Sequence, residues 1–122
     1  NLKGQEFRAV RRLAPDLLLV EVANALWKNE RLKRIDPAIA RRGVAELPRF
    51  FTEFFSAHDL VADASSLARD LDHPVYDCLY IIAARRVDCM LVTADATLLR
   101  KLSNSPEKRR VVDLAQWQET AG

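Results

Sequence analysis

The stretch from residue 75 to residue 95, VYDCLYIIAARRVDCMLVTAD, indicates the fold most directly. Residues 75–86 are mostly apolar and predict a helix that ends at Arg86. The run CMLVT at 89–93 is short, apolar and bounded by polar residues, which is typical of a strand buried on both faces of a parallel sheet. Asp95 then begins another helix. A helix that leads into a buried strand indicates an α/β fold with a parallel sheet.

Upstream of this stretch, two helix starts are visible in the sequence. Asp16 is a good N-cap for a helix that is apolar almost all round through Trp27, so we expect that helix to be largely buried. Asp36 and Pro37 combine an N-cap with proline at the first helical position, which opens a second helix. A further helix end is predicted over residues 5–12.

The middle of the chain and its end complete the pattern. Pro48 predicts the start or a kink of a helix over 48–58, residues 58–62 predict a short strand, and residues 109–114 predict a last strand. No repeat or linker interrupts the chain, so residues 1–122 are expected to form a single α/β domain. The predicted helix over 48–58 carries an aromatic stripe: Phe50, Phe51, Phe54 and Phe55.

Composition excludes several classes of protein. The 122 residues, 49% of them hydrophobic, are enough for one buried core, and a net charge of +2 is too small for a protein that coats nucleic acid. With three glycines there is no Gly-rich phosphate loop. No apolar run is long enough to cross a bilayer and the chain does not begin like a signal peptide, so we expect a cytoplasmic protein with no membrane partner. Cys78 and Cys89 are expected to be buried free thiols rather than a disulfide or zinc site.

Three carboxylates stand in apolar surroundings. Glu21 lies between two valines, Asp77 lies in the first turn of an apolar helix, and Asp95 follows the predicted buried strand at the edge where α/β folds place ligands. Each has an ordinary alternative: an arginine partner for Glu21, the helix dipole for Asp77, and helix capping for Asp95.

If the three carboxylates converge on one pocket, their charges require a cation. Oxygen ligands favour Mg²⁺ or Mn²⁺, and such an ion beside an open position suits hydrolysis of a phosphodiester. Thr93 points the same way as Asp95 along the strand, and Asn24 lies on the face of Glu21, so both are expected to support the ligands.

Three segments resemble the successive motifs of a known family. The runs LAPDLLLVEVANALWK, HPVYDCLYIIAARR and MLVTADATLLRKL are similar to those of PIN-domain ribonucleases, in particular the VapC toxins of type II toxin–antitoxin pairs, over roughly residues 13–102. The resemblance implies a PIN-like α/β/α sandwich with a short, mostly parallel sheet. It also implies an enzyme that cleaves RNA with Mg²⁺ or Mn²⁺. It places catalytic, metal-binding acids at Glu21, Asp77 and Asp95, with Thr93 beside the last.

The resemblance also implies an acid that this chain does not show. In the family, the first acid ends an N-terminal strand, whereas only 20 residues precede Glu21 here and none of them predicts that strand. We therefore expect the PIN-like domain over residues 1–122 to lack this strand, and the intact protein to have a mass above 13.9 kDa. If the intact mass instead equals 13.9 kDa, we expect a catalytically degenerate PIN-like module that binds RNA or protein.

The expected partners follow from the family and from a few side chains. The resemblance implies an RNA substrate, a cognate antitoxin and a homodimer. The aromatic stripe is expected either to contact the antitoxin or the second subunit, or to pack in the core. Tyr80 is expected to stack a base or to pack in the core. A Ser/His/Asp hydrolase is not indicated, since His58 and His73 lack a nucleophile motif and are expected to lie in loops or at the surface.

Overall fold

The computed structural model of the protein describes residues 11–117. The part of the predicted N-terminal helix that precedes residue 11 lies outside the described residues. No helix between residues 11 and 117 is long and apolar enough to span a membrane.

Short strands alternate with five α-helices. In chain order the elements are β1 (Leu13–Pro15), α1 (Leu17–Arg31), α2 (Pro37–Phe50), β2 (Glu53–Phe55), α3 (Ala57–Leu71), α4 (Val75–Val87), β3 (Leu91–Thr93), α5 (Ala96–Leu102), a 3-10 helix η1 (Pro106–Arg110) and β4 (Val111–Asp113). The predicted α/β class with short parallel strands is confirmed.

The strands of the described chain form two separate parallel pairs. β1 pairs with β2, with Leu13 opposite Glu53, and β3 pairs with β4, with Leu91 opposite Val111. Helix α4 contacts both β1 and β3 and therefore links the two pairs. This arrangement brings the end of β3, and the residues that follow it, close to the first turn of α4.

The core lies between α3 and α4. Helix α4 buries Cys78, Leu79, Ile81, Ile82, Ala83 and Ala84, whereas α3 buries Leu60, Ala64 and Leu67 at the spacing of one helix face. The predicted helix over 75–86 and the last three residues of the predicted strand over 89–93 are confirmed, although that strand is half-buried rather than buried on both faces. Both cysteines are free, but burial is complete only for Cys78, since Cys89 is half-buried.

Helix α1 differs from the sequence prediction. It contains no buried residue, and Val20 and Trp27 are 66% and 54% exposed. The prediction of a largely buried helix was wrong because an apolar surface is buried only where another element covers it, and among the described elements α1 packs mainly against α2.

The region between residues 48 and 62 also differs. Helix α2 continues through Pro48 to Phe50, and the backbone then becomes extended at Phe51, so Phe54 and Phe55 lie in β2 rather than in a helix. Pro48 thus lies inside the last turn of α2 and does not begin a helix. The predicted strand over 58–62 was wrong because Leu60 belongs to the buried helical face of α3, and this longer pattern outweighs a short apolar run.

Candidate metal centre

The start of α4 holds a buried histidine against an aspartate. His73 Nε2 lies 2.6 Å from Asp77 Oδ2, and the two side chains are 5% and 33% exposed. As predicted, His73 lies in a loop, between α3 and α4, and its ring is buried there. Helical spacing does not explain this contact, because His73 precedes α4 and Pro74 between them is non-helical, with a ψ of 143°.

Asp95 lies just after β3 and caps α5. Its Oδ1 accepts hydrogen bonds from the backbone nitrogens of Thr97 and Leu98, at 2.9 and 3.1 Å. The hydroxyl of Thr93 in turn accepts a bond from the Asp95 nitrogen at 3.1 Å. The capping alternative is thus observed, and it orients the side chain without using Oδ2. Thr93 supports the backbone of Asp95 rather than its carboxylate.

His73, Asp77 and Asp95 come together in space. Their potential ligand atoms, one from each residue, all lie within 4.8 Å of one another. Asp77 is half-buried and Asp95 is exposed, so the group opens to solvent on one side. Two carboxylates at this spacing fit a divalent cation, which removes their mutual repulsion and leaves positions for water or substrate.

Glu21 lies in the same region but outside this group. Its Oε1 accepts a hydrogen bond of 2.5 Å from the Tyr80 hydroxyl. Within the part of the chain that the structure describes, this phenol and not an arginine is the partner of the carboxylate. Burial, followed by the hydrogen bond and the charge of Glu21, raises the pKa of Tyr80 well above its ordinary value. Sequence reasoning did not identify this contact.

A cavity of about 360 Å³ connects the two parts of the site. Its polar lining comes from Glu21, Asp77, Tyr80 and Thr93, and the rest is apolar: Leu18, Val22, Ala25, Leu91, Val92, Ala94 and Leu98. Asn24 is exposed on α1 and does not line the cavity. Two of the three carboxylates predicted from the sequence therefore lie in one metal-sized group, and the third lines the adjoining cavity.

Comparison with known proteins assigns the family. No family model matches the chain. The chain is 34% identical over 88 residues to ribonuclease VapC3 of Pyrobaculum aerophilum, and the alignment covers 70% of this chain and 67% of that relative. The sequence identity points to this family. The α/β fold with parallel strand pairs and the grouped carboxylates are consistent with the same assignment. The chain belongs to the VapC-like family of PIN-domain ribonucleases.

Proposed function

We propose that this protein is a divalent-metal-dependent endoribonuclease, the toxin of a toxin–antitoxin pair, which hydrolyses RNA phosphodiester bonds. The observation that carries the proposal is the group formed by Asp77, Asp95 and His73 beside a cavity lined by Glu21. The similarity to a ribonuclease of the same family supports the same activity. We further propose that residues 1–122 belong to one PIN-like domain that acts in the cytoplasm, where RNA is available.

In this proposal the carboxylates of Asp77 and Asp95 hold a Mg²⁺ or Mn²⁺ ion. When bound, such an ion supplies charge neutralisation on the phosphate and activation of water. The cap interactions of Asp95 hold its carboxylate at the end of β3, so little conformational entropy is lost when an ion binds. Glu21, held by Tyr80 across the cavity, supplies the third catalytic carboxylate.

The proposed protein partners are a cognate antitoxin and a second copy of the chain. Helices α1 and α2 support this part of the proposal, because they expose large apolar side chains that a solvated surface disfavours: Val20, Trp27, Ile39, Val44 and Phe50. Phe55 instead packs against the core, which favours the packing role for that member of the aromatic stripe. Trp27→Ala should weaken binding of the antitoxin without loss of RNA cleavage.

Cleavage of RNA by the purified protein tests the enzymatic proposal. We expect cleavage that requires Mg²⁺ or Mn²⁺ and that falls at least about a hundredfold in Asp77→Asn and in Glu21→Gln, since each change removes a charge that the ion or the transition state needs. Asp70→Asn, at an exposed position of α3, is the matched control and should cleave like wild type. Cleavage retained by both site variants would contradict the proposal.

A second candidate is a catalytically degenerate PIN-like module that binds RNA or protein. The observation that favours it is the position of Glu21, whose carboxylate is bonded to Tyr80 and lies outside the group of potential ligands. Calorimetry separates the two candidates. Binding of one or two Mn²⁺ ions per chain, lost in Asp77→Asn, supports the nuclease; a protein that binds RNA but no Mn²⁺ supports the degenerate module.

A further inference from the structure

His73 is an unusual residue beside the proposed metal site. Its side chain is 5% exposed, and Nε2 lies at hydrogen-bond distance from Asp77 Oδ2. The other ring nitrogen, Nδ1, is buried and has no hydrogen-bond partner among the described residues. The contacts of the two ring nitrogens therefore indicate which nitrogen carries a proton, and whether the ring donates a hydrogen bond or ligates a metal.

The unpartnered Nδ1 distinguishes two possible roles. A histidine that ligates a metal through one nitrogen almost always donates the N–H of the other to a carboxylate, a carbonyl or water. Ligation through Nε2 would leave such an N–H at Nδ1 buried without an acceptor, which is costly. The opposite tautomer has its proton on Nε2, where Asp77 accepts it, and only a lone pair at Nδ1. The observed contacts therefore favour donation to Asp77 over ligation.

The backbone around His73 is held from two sides. Its nitrogen donates to the carbonyl of Ala68 at 3.1 Å, and Asp72 before it has a left-handed conformation with a φ of 52°. Lys101 from α5 donates to the Asp72 carbonyl. The loop between α3 and α4 is thus fixed to α3 and to α5, so the imidazole presents its N–H to Asp77 from a defined position.

We infer that His73 is a positioning residue of the metal site: in the Nε2–H tautomer it donates to Oδ2 of Asp77 and orients that carboxylate toward the ion. This inference rests on the proposed function for the ion itself. It assigns to His73 a role that the three predicted carboxylates do not fill, and it treats the histidine as a partner of a ligand rather than as a ligand. Such partners typically contribute 10–100-fold to metal affinity.

Two substitutions separate the hydrogen bond from simple packing. His73→Leu retains an apolar side chain but removes the donor, whereas His73→Gln places an amide N–H near the position of Nε2. We expect Mn²⁺ affinity, measured by calorimetry, to fall roughly 10–100-fold in His73→Leu and to stay within about threefold of wild type in His73→Gln. His58→Leu is the control, because its side chain is 93% exposed and should leave Mn²⁺ binding unchanged.

A spectroscopic measurement tests the tautomer without a metal. Long-range ¹H–¹⁵N spectra of the wild-type protein should show His73 protonated at Nε2, and Asp77→Asn should shift that signal. Protonation at Nδ1 would overturn the inference. So would equal Mn²⁺ affinity in wild type and His73→Leu, or an equal loss in the leucine and glutamine variants, and each of these results would leave the proposed nuclease intact. A wild-type protein that binds no Mn²⁺ would overturn the proposed function and this inference together.

Discussion

Asp95 has one observed role and one proposed role, and two substitutions distinguish them. Its Oδ1 caps α5 through the nitrogens of Thr97 and Leu98, and its carboxylate belongs to the group proposed to hold an ion. Asparagine caps a helix about as well as aspartate but lacks the charge, whereas alanine lacks both. Asp95→Asn should therefore remove only metal binding, and Asp95→Ala should remove metal binding and the cap.

The magnitudes follow from the contacts. Without metal, Asp95→Ala should lose about 1 kcal/mol of unfolding free energy, the usual effect of an N-cap replaced by alanine. For a domain of this size that loss lowers Tm by roughly 4 °C, while Asp95→Asn should stay within about 1 °C. With Mn²⁺ at a hundredfold excess over its Kd, wild type should gain about 2.7 kcal/mol, and neither variant should gain it.

Thermal unfolding followed by circular dichroism, with EDTA and then with Mn²⁺, measures both effects in the same samples. Asp70→Asn serves as the charge control, since it removes an exposed carboxylate of α3 outside the site. A Mn²⁺-induced rise in Tm that persists in Asp95→Asn would refute the ligand role and leave Asp95 as a cap alone. An Asp95→Ala protein as stable as wild type in EDTA would refute the energetic importance of the cap.

Three further predictions concern stability and reactivity. Because burial and its carboxylate partner raise the pKa of Tyr80 above its ordinary value of 10.0, the unfolded chain releases the phenolic proton first. The stabilising effect of this hydroxyl relative to Tyr80→Phe should thus decrease as pH rises above 10 in urea unfolding, and a constant difference would contradict it. The Glu107 side chain in its ion pair is only 11% exposed, so Glu107→Ala should lower the free energy of unfolding by about 1.5–3 kcal/mol in the same assay. The Asp63 side chain in its own ion pair is 63% exposed, so Asp63→Ala should lower it by less than about 1 kcal/mol. Equal losses in the two variants would argue against burial as the cause. Burial also raises the pKa of the Cys78 thiol, so in Cys89→Ala a thiol reagent should modify Cys78 only as fast as the chain opens, and rapid labelling of the native protein would disagree.

Local sequence was sufficient to predict those elements whose apolar pattern or capping residue lies within the element itself. The helix over 75–86 and the strand that follows it were predicted within a few residues, because the first pattern is too long for a strand and the second is short and bounded by polar residues. The capping role of Asp95 was also visible, since a cap depends on the two or three residues that follow it. The proximity of Asp77 to Asp95 was predicted only as a possibility and needed the packing of α4 against β3.

The errors concern features that depend on distant parts of the chain. The burial of α1 was overestimated because the sequence does not state which elements cover it. Residues 53–55 form a strand because β1, some 40 residues away, pairs with them, as in the contact of Leu13 with Glu53. The bond between Tyr80 and Glu21 joins residues 59 positions apart, and no local pattern indicates it.

The amino-acid sequence alone determined the fold class, the resemblance to the family and the carboxylates to consider, since helix and strand periodicity, caps and short motifs are properties of neighbouring residues. The tertiary structure alone decided that His73 is buried against Asp77, that Asp95 joins them, and that Glu21 accepts a hydrogen bond from Tyr80 outside that group. These are contacts between separate elements, and their geometry exists only after the elements have packed.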